Sequence, residues 1–319
     1  MAQSLPELVL FGASMIEWSF DEATEGLGWF LERKYQGKAR IVNEVSKRFR
    51  LNGHEMAAKP SYAQAPQFVL FGDSLIEWGF DEHNEGFGWF LERQYGDKVD
   101  IKNEGQAGYT STRLLPDFNR IIACATAPNA PSTFLFTIFL GANDACFVGD
   151  TEYVPLPSFE ANIRFFVETI LTQDAMPDTK IILITPPPIN ISSPDAKGKD
   201  IDEIEELNAS KWEQRGYRTY MSKKRYAERI MQIAREYEET GRVVGVDFWG
   251  DLTKARMKEV KEEYDERKLP GSGLYGARDF GEEYFTDGLH LDKKGYNVLS
   301  KALYETMVAK WPDLAPDNL

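Results

Sequence analysis

A 37-residue segment occurs twice in this chain, and a single sheet can seat it only once. Leu8 to Glu44 returns as Phe68 to Glu104, with 24 of 37 positions identical in a gapless alignment. Each copy starts with an apolar strand pattern and continues into a helical one. Since one sheet has one place for this strand and helix, copy two is expected in the core. Copy one then packs outside it or is poorly ordered, with Trp18, Phe20, Trp29 and Phe30 seeking cover against the domain or a partner subunit. The copies diverge at the first turn, which reads Gly72-Asp73-Ser74-Leu75 in copy two and Gly12-Ala13-Ser14-Met15 in copy one.

The rest of the chain supplies a complete α/β pattern without copy one. Five apolar runs, Phe68–Gly72, Val99–Asn103, Thr133–Leu140, Lys180–Thr185 and Arg242–Phe248, read as strands covered on both faces, as in a parallel sheet. Helical periodicity falls between them. Phe159, Ile163, Phe166 and Ile170 follow a cap at Ser158; Tyr226, Ile230, Ile233 and Tyr237 form a second stripe. Leu299, Leu303, Met307 and Trp311 form a third after a cap at Asp292. Alternating strand and helix predicts one α/β domain with helices on both sheet faces. The expected organisation is a partial, non-catalytic duplicate over 1–44, a linker over 45–67, the catalytic domain over 68–312 and a tail over 313–319. Ile191 to Arg218 and Leu269 to Phe285 read as long functional loops, lids or walls of a site.

Composition narrows the function. Lys and Arg total 37 against 51 Asp and Glu, a net charge of −14 that repels phosphate backbones and anionic lipid, so nucleic acid is not an expected partner. The longest apolar run is too short for a membrane span, and the N-terminus lacks the basic region of a signal peptide. Two cysteines, Cys124 and Cys146, fit a reducing compartment, and the expected location is cytoplasmic. Self-association into a homo-oligomer is compatible with the chain.

Four short blocks sit at strand ends or just before a helix. Ser74, after the first strand of copy two, can present a hydroxyl at the carboxyl edge of the sheet. Asn103 to Thr110 carries glycines whose N–H groups can face an anion. Asn143, in Leu140-Gly141-Ala142-Asn143-Asp144, can donate to a developing oxyanion. Asp287 precedes His290 by three positions and can fix its tautomer, leaving the other ring nitrogen as a base. Taken singly, each also reads as ordinary turn chemistry. Of the three histidines, His54 lies in the presumed linker and His83 in a polar loop, so only His290 has a carboxylate in register. Together the blocks form the inventory for acyl hydrolysis: nucleophile, oxyanion donors, base and orienter.

In this order the blocks GDSL, AGYT, GAND and DGLH resemble the GDSL or SGNH hydrolase family from residue 68 to about 312. The likeness is greatest to its isoamyl acetate-hydrolysing esterase group, through Thr137 to Cys146, Val154 to Pro157 and Thr286 to His290. The resemblance implies a three-layer α/β/α, flavodoxin-like fold with a central five-stranded parallel sheet, here preceded by the duplicated strand–helix segment. It also implies a metal- and cofactor-free mechanism on short-chain carboxylic esters. Ser74 would be the nucleophile, His290 the base and Asp287 its orienter. The Ser74 and Gly108 N–H groups and the Asn143 amide would form the oxyanion hole. Gly108 matches the family's second block because it precedes Tyr109-Thr110. Copy one lacks both the Asp and the following glycines, so Ser14 is expected to be inert. Cys146 reads as a packing residue.

A thioesterase, lysophospholipase or carbohydrate deacetylase would use the same residues. A non-catalytic interaction module would not need all four blocks. A flavin or nucleotide domain lacks its glycine fingerprint, because Gly86-Phe87-Gly88 sits in the wrong context.

Overall fold

The computed structural model describes residues 7–11, 40–44 and 65–319, apart from 194–199, 201 and 204–217. The chain divides into two units, Met1–Tyr62 and Ala63–Leu319. In the first, β1 (Glu7–Phe11) and β2 (Arg40–Glu44) pair in parallel as a two-stranded sheet. Ser14, Trp18, Phe20, Trp29, Phe30 and His54 lie outside the described residues, as does the expected linker up to residue 64.

The second unit is built on a five-stranded, all-parallel sheet. Its strands are β3 (Gln67–Gly72), β4 (Asp100–Gly105), β5 (Thr133–Phe139), β6 (Lys180–Ile184) and β7 (Val243–Val246), in the order β4-β3-β5-β6-β7. Copy two supplies β3 and β4. Seven α-helices connect or follow these strands among the described residues: α1 (Ser74–Glu77), α2 (Phe87–Tyr95), α3 (Leu115–Ala125), α4 (Leu156–Thr172), α5 (Tyr220–Tyr237), α6 (Phe248–Val260) and α7 (Lys293–Lys310).

Strand alternation divides the core between the two faces. Phe68 and Leu70 turn one way, onto Leu91 of α2, Leu252 of α6 and Leu299 and Leu303 of α7. Val69 and Phe71 turn the other way, onto Phe118 of α3, Phe166 of α4 and Ile230 of α5. Each fully buried phenylalanine or leucine contributes about 1.5–3 kcal/mol, which is why both faces of every central strand are apolar. The expected fold class is therefore present.

Two local expectations are corrected. Ser158 does not cap α4: the helix begins at Leu156 with Pro155 at the cap position, because Pro157 favours the first turn rather than the body of a helix. The last strand ends at Val246, short of Phe248. Asp247 accepts a hydrogen bond from the Gly250 N–H at 3.0 Å and opens α6, so Phe248 is helical.

The strand order reverses direction between β3 and β5. In an open α/β sheet the crevice at the carboxyl ends of such a pair is the natural ligand site.

Candidate active site

β3 ends in that crevice at Gly72, a position with no room for a side chain. A Cβ on Gly72 would lie 2.2 Å from the Phe139 carbonyl oxygen of β5, so only glycine lets the two strands close at this level. Asp73 follows, fully buried, and caps α1 by accepting the Leu75 N–H at 2.9 Å. Ser74 is thereby fixed as the first residue of a four-residue helix.

The loop before α7 brings the other two groups to it. Asp287 Oδ1 accepts the N–H groups of Leu289 and His290, both at 2.8 Å, which folds the backbone so that the two side chains face each other. His290 Nδ1 lies 2.6 Å from Asp287 Oδ2, and His290 Nε2 lies 3.0 Å from Ser74 Oγ. Burial raises the Asp287 pKa, but the hydrogen bond and charge of His290 and the two backbone donors outweigh it and hold this carboxyl below its usual value. The Trp78 ring lies 4.1 Å from the imidazole, centroid to centroid, and walls one side of it while remaining 42% exposed.

The loop after β4 has its N–H groups nearly all committed. Gly105 donates to Asn103 Oδ1, Gln106 to the Gly72 carbonyl, Ala107 to Glu77 Oε2 and Tyr109 to the Gln106 carbonyl. Among the described residues, Gly108 has the one N–H of Gly105 to Tyr109 left without an acceptor. Its φ of +74° lies in the left-handed region, which turns that N–H out of the loop at little cost only for glycine. Arg113 braces the turn by donating to the Gly108 carbonyl at 3.3 Å and to the Thr151 carbonyl at 3.2 Å. The Ser74 N–H, at a helix start, also has no acceptor among the described residues.

Asn143, on the loop after β5, is buried; its Nδ2 donates to the Tyr109 carbonyl at 2.7 Å and its Oδ1 accepts from Arg218 Nη2 at 2.8 Å. Asp144 ties the two loops together by accepting the Ser111 N–H at 3.0 Å and its hydroxyl at 2.5 Å. The sequence-read residues thus divide into a hydrogen-bonded Ser74–His290–Asp287 chain and a set of donors, at the Ser74 and Gly108 N–H groups and Asn143, on the same sheet edge.

Arg218 and Lys223 were not singled out from sequence, and both sit behind this edge. Lys223 is fully buried, and its Nζ has no hydrogen-bond partner among the described residues; nor has Asp73 Oδ2 or Asp144 Oδ2. Burial moves all three titrations. It lifts Asp73 to about 6 and Asp144 to about 7, and it presses Lys223 down to about 7, with the Arg218 charge adding to that effect. Cys146 packs as expected, buried, with its thiol pushed up to about 12 by burial. Its Sγ, Asp150 and Glu152 offer three ligand atoms within 4.8 Å of one another, but Glu152 is ion-paired with Arg218 and the thiol is held protonated. The donor set is therefore a poor one for a cation.

Comparison with known proteins places the chain among relatives. The GDSL-like Lipase/Acylhydrolase family model matches residues 68–303. A GDSL esterase/lipase of Arabidopsis thaliana is 28% identical over 257 residues, covering 80% of this chain and 89% of the relative. The isoamyl acetate-hydrolyzing esterase 1 homolog of Rattus norvegicus is 29% identical over 272 residues, covering 82% and 91%. The isoamyl acetate-hydrolyzing esterase of Saccharomyces cerevisiae is 28% identical over 265 residues, covering 79% and 90%.

Proposed function

The chain belongs to the GDSL-like lipase/acylhydrolase family and is an ester-hydrolysing enzyme; on that premise we propose that it cleaves short-chain, acetate-type carboxylic esters through a serine acyl-enzyme. The observation that carries this reading is the unbroken hydrogen-bonded chain from Ser74 Oγ through the His290 ring to Asp287.

His290 Nε2 takes the Ser74 proton as Oγ attacks the ester carbonyl. Asp287 holds Nδ1 protonated and faces the imidazolium with a carboxylate. The carbonyl oxygen becomes an oxyanion that the Ser74 and Gly108 N–H groups and the Asn143 amide receive, an arrangement worth roughly 3–4 kcal/mol per donor in acyl transfer. His290 then returns the proton to the leaving alcohol, and water repeats the sequence on the acyl-serine. These steps call for no metal or cofactor. The acetate preference is supported by the names of the yeast and rat relatives. An apolar alcohol is supported by three partly exposed aromatic side chains, Trp78 on the 3-10 turn after α1 and Tyr109 and Phe147 on loops at the strand ends.

Among the described residues, no helix is long and apolar enough to cross a membrane. A cytoplasmic location is supported by the two free cysteines, of which Cys124 is exposed; cell fractionation tests it.

The deciding assay is hydrolysis of 4-nitrophenyl acetate by the parent, Ser74→Ala and Ser14→Ala. The expected outcome is that Ser74→Ala alone loses nearly all turnover. Equal rates in the parent and Ser74→Ala refute the assignment.

A further inference from the structure

Asn143 touches two neighbours of opposite kind. Its Nδ2 donates to the Tyr109 carbonyl and its Oδ1 accepts from the Arg218 guanidinium. A carbonyl can only accept and a guanidinium can only donate, so the pair admits one orientation of the amide. Flipped, oxygen would face oxygen and NH2 would face a cation. In the orientation observed, one N–H of Nδ2 remains for a substrate oxygen.

Arg218 is built into this position rather than resting on the surface. Its side chain is 3% exposed. Nε donates to the Ala142 carbonyl at 2.5 Å, one residue before Asn143, and Nη2 is ion-paired with Glu152. The next residue, Thr219, is the N-cap of α5 and closes a reciprocal capping box with Ser222, at 3.0 and 3.1 Å, so the backbone carrying Arg218 is anchored too. The contacts diverge from one planar group to a backbone carbonyl, an amide oxygen and a carboxylate. A guanidinium fork meets all three, whereas an ammonium at one point in space does not.

We propose that Arg218 is a positioning residue of the oxyanion hole: it locks the Asn143 amide with its donor toward the substrate and, by drawing electron density onto Oδ1, strengthens the N–H that faces the oxyanion. The inference rests on reading Asn143 as an oxyanion donor. Hydrogen bonds in series polarise one another in a water-poor site, so a cation on the oxygen improves the nitrogen as a donor. The effect falls on the transition state, because the ground-state carbonyl carries little of the charge that Asn143 is aimed at.

A double-mutant cycle tests this with 4-nitrophenyl acetate, measuring kcat and KM for the parent, Arg218→Met, Asn143→Ala and the double variant. Arg218→Met is expected to lower kcat roughly 10- to 100-fold with KM within about threefold, and Asn143→Ala roughly 100- to 1,000-fold. If Arg218 acts through Asn143, adding Arg218→Met to Asn143→Ala costs less than about threefold more. Arg218→Lys, which keeps the charge on a single donor nitrogen, is expected to recover part of the loss. Multiplicative losses in the double variant overturn the proposal, as does parental kcat in Arg218→Met. Should Arg218→Met fail to fold by circular dichroism, the same cycle is run with Arg218→Lys: a non-additive loss supports the proposal and a multiplicative one overturns it. Ser74→Ala in the same assay isolates the underlying reading: parental turnover there refutes the esterase mechanism, whereas its loss alongside a multiplicative cycle refutes the role of Arg218 alone.

Discussion

The two copies of the repeat pair their strands identically and differ in the residues that follow those strands. β1 meets β2 with Glu7 opposite Arg40 through Phe11 opposite Glu44; β3 meets β4 with Gln67 opposite Asp100 through Phe71 opposite Glu104, every partner sixty positions on. A strand, a crossover and a parallel strand in fixed register are therefore encoded within the segment itself. The site is not. Copy two gains Asn143 because β3 also pairs with β5, and it gains Asp287 and His290 from the loop before α7. Copy one also differs at positions within reach of its own sequence: Ala13 stands where Asp73 caps α1, and Val45-Ser46-Lys47-Arg48 stand where copy two has the glycine-containing loop Gly105 to Gly108. Strand pairing is repeated locally, whereas the Ser74–His290–Asp287 hydrogen-bonded chain is assembled from distant segments.

The sharpest break in the comparison is at the paired serines. Ser74→Ala is expected to lower kcat by about 10³-fold or more, while Ser14→Ala leaves it unchanged; loss of activity in Ser14→Ala would put chemistry in copy one. Next is the donor loop. Gly108→Ala forces a side chain into a φ of +74°, which costs roughly 1–2 kcal/mol, and kcat is expected to fall about tenfold as the N–H turns away. A rate within twofold of the parent would remove Gly108 from the oxyanion hole.

A smaller effect separates Asp73 from Ala13. Asp73→Asn keeps the acceptor for the Leu75 N–H but cannot ionise. Because burial raises the folded pKa of Asp73 from 3.8 to about 6, its contribution to stability is fully present below pH 3.8 and is lost as pH rises through about 6. The melting temperature of the variant relative to the parent should therefore climb across that window, and a constant difference would show that Asp73 is not held against ionisation. The smallest effect is expected from removing residues 1–62, which should leave kcat and KM within about twofold. The five strands and the Ser74–His290–Asp287 chain are complete without them.

Much of this was legible from sequence because strand ends announce themselves. Ser74, Asn143 and Asp287–His290 stand directly after apolar runs or before a capped helix, and Asp292 is the N-cap of α7, its carboxylate accepting the Lys293 N–H. Arg218 was hidden for the opposite reason. It closes a long charged segment, and its partners Ala142, Asn143 and Glu152 lie 66 to 76 positions away, with no local pattern to mark them. Lys223 reads as one more cation on a lysine-rich helix start, and only the packing of α5 reveals that it is buried. Trp78 belongs to both copies of the repeat, so nothing in the sequence marks the copy whose ring meets a histidine.

The matched registers of β1–β2 and β3–β4 have a kinetic consequence. Copy one leaves the ribosome first, and both copies precede β5 in the chain. Seating β1 rather than β3 beside β5 closes a loop about twice as long, and each doubling costs only about 0.6 kcal/mol of closure entropy. Chain entropy thus discriminates weakly between the two strands. Selection falls to side chains such as Phe68, whose ring packs on Tyr95 at 4.9 Å, where copy one offers Leu8. The duplicated strand is therefore expected to compete with β3 for β5 during refolding, and its removal should speed acquisition of the native sheet.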